Sequence, residues 1–178
     1  MRQRVAFGTS VFVTESGWCG LAWTEQGIFA STLPESTWEL AAASLAATLG
    51  RLGIVDSGCR LEETAPARTA QAWMKDYFAG GESEPDILLD MSLMSDWQRR
   101  AGQTMMQVPR GQVRTYSWLA ASMGAPAAPR AAGTACARNP LPVIVPCHRI
   151  IRSSGGLGGF GGGLALKRRM LEMEGAGV

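Results

Sequence analysis

Cys147 and His148 stand side by side, and His148 is the only histidine among 178 residues. A thiol next to an imidazole supplies a nucleophile and a base. The segment leading to this pair is Asn139-Pro140-Leu141-Pro142-Val143-Ile144-Val145-Pro146, and Arg149 follows it. Its three prolines fix φ and exclude a helix. Four of the six residues from Leu141 to Pro146 are β-branched or aliphatic, so the segment is predicted to be extended and buried. Such an approach suits a held nucleophile. Taken alone, the same letters also suit an inert core cysteine beside a surface imidazole.

Further along, Lys167, Leu171 and Glu174 share one helical face at spacings of four and three. Leu164, Met170 and Met173 surround them. Glu174 there reads either as a buried, paired carboxylate or as an ordinary exposed helix end. Between the two groups, Gly155 to Gly163 holds seven glycines in nine residues, interrupted by Leu157 and Phe160. So permissive a segment is either a flexible linker or a wall whose backbone N–H groups meet a ligand. It lacks the Gly-Lys-Ser/Thr ending of a nucleotide-binding loop.

The elements that must position these groups are legible in part. A helix is predicted from about Ser95 to Gln107, with Trp97, Ala101, Met105 and Val108 at helical spacing. Ser117 is the predicted cap of a short helix reaching Met123. Pro129 is well placed as the first residue of the next helix, which runs from Arg130 to Arg138. Two short helices joined by a Gly-containing turn, in a basic context, make a helix-turn-helix candidate. Six of the nine residues from Arg130 to Arg138 are Ala, Gly or Thr, with arginine at both ends. That slim helix suits close approach to DNA, including the minor groove, or close packing against another helix.

The first half carries no chemical motif. Residues 5–13, 18–24 and 27–32 read as an antiparallel meander. Ser36 or Thr37 is the predicted cap of a helix to about Gly50. A second helix is predicted over Ala65–Ala79 with Trp73, Tyr77 and Phe78 on its buried side. Ile87–Leu89 reads as a short strand, and Gly80–Pro85 as part of a linker. The expected division is a supporting α/β domain over residues 1–90 and a second domain over residues 91–178 that carries the helix-turn-helix candidate and the Cys147–His148 pair.

Charge follows that division. Residues 1–90 hold six Lys/Arg and twelve Asp/Glu, whereas residues 91–178 hold eleven and three. The basic second half points to a polyanionic partner. Hydrophobic residues make up 46% of the chain, enough for a core, yet no apolar run has the length of a membrane span. Met1-Arg2-Gln3-Arg4-Val5 lacks the apolar segment of a signal peptide, so a cytoplasmic protein is expected. Cys19, Cys59, Cys136 and Cys147 include no Cys-x-x-Cys pair, and one histidine does not complete a zinc set. Four free thiols and no metal are expected.

Several motifs occur in order. They are Val108-Pro109-Arg110-Gly111-Gln112-Val113-Arg114-Thr115-Tyr116, Arg130-Ala131-Ala132-Gly133, Asn139-Pro140-Leu141-Pro142 and Pro146-Cys147-His148-Arg149. Gly162-Gly163-Leu164-Ala165-Leu166-Lys167 and Leu171-Glu172-Met173-Glu174-Gly175 complete the series. Over about residues 95–175 the chain resembles the O6-alkylguanine-DNA alkyltransferases, the methylated-DNA–protein-cysteine methyltransferases. The resemblance implies an α+β protein with an N-terminal ribonuclease-H-like domain. Its C-terminal domain would be winged-helix-like with a helix-turn-helix. It also implies repair of O6-alkylguanine in double-stranded DNA, and less efficiently of O4-methylthymine, by irreversible transfer to Cys147.

Residue by residue, the resemblance makes Cys147 the alkyl acceptor, His148 a base acting through water, and Glu174 the group that orients His148. Tyr116 would help protonate the leaving guanine, and Asn139 would be a hinge between the recognition helix and the active-site segment. Arg130 would fill the gap left by the flipped base. Arg114, Thr115, Ala131, Gly133 and Arg138 are the other expected DNA contacts. Pro142, Val145, Gly159 and Phe160 would line the substrate pocket, and Lys167 would support its loop. No cofactor is expected. The partner would be lesion-containing DNA and not a membrane, bound by a monomer, with cooperative binding left open. Trp97, Gly102, Ala132 and Phe160 depart from the residues usual at their positions. Three rivals are a lesion binder without transfer, a transcriptional regulator and a cysteine hydrolase. The present cysteine, the lack of a sensing module and the DNA-binding pattern speak against them in turn.

Overall fold

The computed structural model describes residues 3–177, apart from the side chains of residues 3, 4 and 55–60. Cys59 and the Met1–Arg2 start therefore lie outside the described side chains. The chain forms two compact units, Met1–Leu93 and Met94–Val178.

In the first unit, strands β1 (Gln3–Thr14), β2 (Gly17–Thr24) and β3 (Gly27–Ser31) form the expected antiparallel meander. Thr14 shapes the first turn by donating its hydroxyl to the Gly17 carbonyl at 2.8 Å. Gly17 adopts φ +130°, and a Cβ there would lie 2.5 Å from the Glu35 carbonyl oxygen, so only glycine fits. Thr37 caps helix α1 (Trp38–Arg51) by accepting from the Leu40 N–H. This helix carries the chain to strand β4 (Ile54–Arg60), which lies parallel to β1 and gives the sheet order β3-β2-β1-β4. Asp56, Ser57 and Gly58 are poor strand formers, so pairing with β1, rather than local preference, makes β4 a strand.

Helix α2 (Ala65–Phe78) is capped by Thr64 and buries Tyr77 and Phe78 as expected. Trp73 departs from expectation: it is half-buried and donates its indole N–H to the Ser83 carbonyl at 2.9 Å, while Met74 takes the core position. Ile87–Leu89 contributes a single bridge between Leu89 and Ile28, not a strand. The Gly80–Pro85 stretch belongs to the first unit, tied back by the Gly81 N–H to the Asp76 carbonyl. The core of this unit is Ala22, Phe29, Ala30, Leu45 and Ile54.

The second unit opens with helix α3 (Asp96–Met105), whose Ser95 and Gln98 cap each other reciprocally. Ala101, Met105 and Val108 are buried, and Trp97 is half-buried. Strand β5 (Arg114–Thr115) leads into helix α4 (Tyr116–Ser122). Its cap is Thr115, not Ser117, because the Thr115 hydroxyl accepts the Trp118 N–H and so starts the helix earlier. Helix α5 (Pro129–Ala137) begins with Pro129, whose missing N–H costs nothing at that position. A single 3-10 turn, Cys147–Arg149, runs into strand β6 (Ile150–Ile151), parallel to β5. Helix α6 (Gly163–Met173) closes the unit. Among the described residues no helix is long and apolar enough to cross a membrane.

The segment from Leu141 to Pro146 is buried but not extended. It coils, with the Val145 N–H on the Leu141 carbonyl at 2.8 Å and Val143 at φ 74°. Prolines exclude a helix, yet their φ suits turns as well as strands. The choice falls to Asn139, whose side chain accepts the Leu141 N–H at 3.0 Å and donates to the Val145 carbonyl at 2.9 Å. A β-branched residue at positive φ is costly, about 1–3 kcal/mol, and persists only where its surroundings hold it.

Candidate active site

The coil delivers Cys147 to the start of the 3-10 turn, where its N–H bonds the Val145 carbonyl at 2.8 Å. Cys147 is 5% exposed. Burial pushes its thiol above the ordinary range, while the Asn139 amide, the Lys167 ammonium and nearby backbone N–H groups pull it down. The pocket thus holds a protonated thiol that needs a base to react.

That base system is adjacent. His148 Nε2 lies 2.7 Å from Glu174 Oε1, with both side chains fully buried. Burial opposes ionisation of Glu174, but hydrogen bonds from His148 and Arg149 outweigh it and bring the carboxyl down to about 2. An ionised carboxylate only accepts, so Nε2 carries the proton in this bond and Nδ1 is the basic ring nitrogen. Burial lowers the proton affinity of His148 and Glu174 raises it. The imidazole is held neutral at pH 7, the form that a base requires.

Arg149 is the participant that the sequence reading missed. Its Nε and Nη2 donate to Glu174 Oε2 and Oε1 at 2.8 and 3.1 Å, and its Nη1 donates to the Val108 carbonyl at 2.7 Å. The signal was available. A cation inside the apolar run Ile144–Ile151 needs a counter-charge, and residues 91–178 contain only Asp96, Glu172 and Glu174 as acids.

Lys167 is also fully buried, and its ammonium donates to the Ile150 and Leu157 carbonyls, each at 2.6 Å. It therefore staples the strand after the nucleophile to the glycine-rich wall. Its Nζ lies 5.9 Å from the Phe160 ring centroid, so the ring meets a cation. Gly158 abuts Tyr116: a Cβ there would lie 2.8 Å from the phenol oxygen, at φ +75°. Burial, with Cys136 and Cys147 nearby, pushes Tyr116 up to about 12, so it stays a proton-bearing phenol. Cys136 donates its thiol to the Met105 sulfur at 3.6 Å. Burial pushes it up to about 12, with Cys147 and Lys167 among its neighbours.

Of the predicted catalytic set, Asn139 and Tyr116 lie close to the Cys147 thiol, as does Lys167, and Glu174 pairs with His148, the next residue. Val145 is buried and gives its carbonyl to Asn139, Pro142 and Phe160 are half-buried, and Gly159 is exposed. Of the predicted DNA contacts, Arg130, Ala131 and Arg138 are exposed on or beside α5. Gly133 faces Tyr116, with its Cβ position 3.7 Å from the ring. Thr115 is occupied as the cap of α4. Arg114 lies over the Trp118 ring and donates to Gln112. The half-buried Trp97 indole donates to the Ala131 carbonyl at 3.5 Å. Cys19, Cys136 and Cys147 are free thiols. Among the described residues, no three His, Cys, Asp or Glu side chains gather as a metal-binding group.

A buried cysteine and a buried His–Glu pair thus stand in the same unit as the α4–α5 helix pair. Residues 96–176 match the DNA-binding domain of 6-O-methylguanine DNA methyltransferase. The methylated-DNA–protein-cysteine methyltransferase of Mycobacterium tuberculosis is 46% identical over 98 residues, 55% of this chain and 59% of that relative. The Mycobacterium leprae protein of the same name is 43% identical over 114 residues, 64% of this chain and 68% of that one. The crystal structure of Mycobacterium tuberculosis O6-methylguanine methyltransferase superposes with a TM-score of 0.71 at 31% identity, covering 95% of this chain and 93% of that one. The chain belongs to the methylated-DNA–protein-cysteine methyltransferase family. Its sequence match spans about three fifths of the length of the first mycobacterial relatives.

Proposed function

We propose that the protein repairs O6-alkylguanine in DNA by moving the alkyl group irreversibly onto its own Cys147. The observation that carries this reading is the fully buried Glu174–His148 pair on the residue that follows the buried Cys147. A water between His148 Nδ1 and the sulfur takes the thiol proton toward the imidazole. The thiolate attacks the alkyl carbon, the S–C bond forms as the C–O6 bond breaks, and guanine leaves. Tyr116 passes its phenol proton to the departing guanine, and the proton taken from the thiol returns from the imidazolium to restore the phenol. A thioether does not hydrolyse under these conditions, so each molecule acts once.

The target atom is hidden in the duplex, so the nucleotide must be flipped out at a cost of a few kcal/mol. Arg130 fills the gap, α4 and α5 act as a helix-turn-helix, and phosphate contacts from Arg138 and its basic neighbours offset the cost. Asn139 holds the coil that joins α5 to Cys147. O4-methylthymine is a second, poorer substrate. The protein acts as a monomer in the cytoplasm. For Met1–Leu93 we infer a ribonuclease-H-like scaffold, supported by the order β3-β2-β1-β4, with β4 alone parallel to its neighbour after a helical crossover. A winged-helix-like second unit is supported by α3–α5 and the β5–β6 pair.

Mass spectrometry of the intact protein and its peptides, after incubation with duplex DNA containing O6-methylguanine, tests this. One methyl per molecule is expected, on the Cys147 peptide, and none in Cys147→Ser. Retained DNA binding with no methyl gained would overturn transfer.

A further inference from the structure

We propose that Arg110 is a positioning residue for the Glu174–His148 pair, acting by clamping the end of α6. The proposal rests on the reading of Cys147 as the alkyl acceptor.

Helix α6 ends at Met173, and the last carbonyls of a helix lack partners within it. Arg110 Nη2 donates to the Met173 carbonyl at 2.9 Å, across 63 residues of sequence. A cation at this end is also favoured by the helix dipole. Met173 is bonded directly to Glu174, so the clamp acts on the backbone that carries the relay carboxylate. The same loop reaches the carboxylate's other partner, because the Val108 carbonyl accepts Arg149 Nη1 at 2.7 Å. Gly111 completes the contact: at φ +75°, a Cβ there would lie 3.0 Å from the Glu174 carbonyl oxygen. The Val108–Gly111 loop thus touches residue 174 through its backbone and Arg149 through a carbonyl. Charged groups that face this carboxylate include His148 and Arg149 from the 3-10 turn, with Lys167 of α6 acting on His148. The Arg110 bond to Met173 is made to backbone, so this clamp acts on geometry. A displacement near 1 Å at Glu174 would break the 2.7 Å contact to His148 and slow the transfer about tenfold to a hundredfold.

The test compares Arg110→Met and Arg110→Lys with wild type in the full chain. Single-turnover methyl transfer is followed across pH at saturating O6-methylguanine duplex. DNA affinity is measured for each variant combined with Cys147→Ser. Arg110→Met is expected to slow transfer at least tenfold and to displace its rise with pH toward alkali, because the thiol loses its base. DNA affinity should stay within twofold, and Arg110→Lys should recover most of the rate. An unchanged rate overturns the proposal, as does an equal loss at every pH accompanied by equal loss of DNA affinity. If wild type takes no methyl from DNA, the functional reading fails on its own. Arg110 is then judged by iodoacetamide labelling of Cys147 across pH. Slower, alkali-shifted labelling in Arg110→Met supports the clamp, and matching curves overturn it.

Discussion

Oε1 of Glu174 receives both His148 Nε2 at 2.7 Å and Arg149 Nη2 at 3.1 Å, so one buried carboxylate serves a base and a cation together. Glu174→Gln preserves the shape and removes the charge. Arg149 would then lose the carboxylate that it pairs with at 2.8 Å, and breaking such a buried pair costs about 3–5 kcal/mol. His148 would lose its orienting acceptor, and methyl transfer should slow by about 10²–10⁴-fold. Urea unfolding and single-turnover transfer measure the two effects. Transfer at the wild-type rate would remove Glu174 from the mechanism.

Gly158→Ala places a methyl group against the Tyr116 phenol in a left-handed backbone conformation. The conformation alone costs about 1–2 kcal/mol, and the phenol must move. Transfer should fall well below wild type while affinity for undamaged DNA is unchanged. Gly80→Ala is the control, since it shares a positive φ of +93° and a Cβ there meets nothing within 4 Å. Equal rates for the two variants would show that Tyr116 placement is immaterial.

Acid and alkali should weaken the fold through different groups. Glu174 is held down to about 2, so its contribution is full above the unfolded value near 4.3 and is lost as pH falls toward 2. Buried His148 binds a proton less readily than in the unfolded chain, so stability also falls with pH below about 6.5. Cys19 and Cys136 are held up to about 12, whereas unfolded thiols ionise near 8.5, so their contribution is lost as pH rises between those values. The urea midpoint should be greatest between about pH 6.5 and 8. A midpoint that climbs beyond pH 9 would contradict this balance.

The exposed arginines of α5 should separate by role. Arg138→Ala should lower the slope of log affinity against log salt by about 0.9, the loss of one phosphate contact. Arg130→Ala should leave more of that slope but slow transfer, as a residue that fills the stack would. Arg114→Ala should cost less, because Arg114 already lies over Trp118 and on Gln112. Salt-dependent binding curves decide between these expectations, and three identical slopes would dismiss them.

Cys147 and His148 were legible as a candidate pair because their signal is local, whereas the helical spacing of Lys167 and Glu174 left a paired carboxylate and an exposed helix end both open until the fold set Glu174 on His148 and Arg149. A cap at Ser36 or Thr37, of which Thr37 serves, and the start of α5 at Pro129 were legible from local signals. Strand β4 was not, since Asp56, Ser57 and Gly58 join the sheet only through β1. Three prolines excluded a helix before Cys147 but did not choose between a strand and a coil. Asn139 made that choice through hydrogen bonds to residues two and six positions ahead. The Arg149–Glu174 pair spans 25 residues, and the Arg110 clamp on Met173 spans 63. Chain order alone therefore determined which groups could do the chemistry. Only the folded chain decided how they are aimed, because hydrogen bonds between distant residues have no imprint in local spacing.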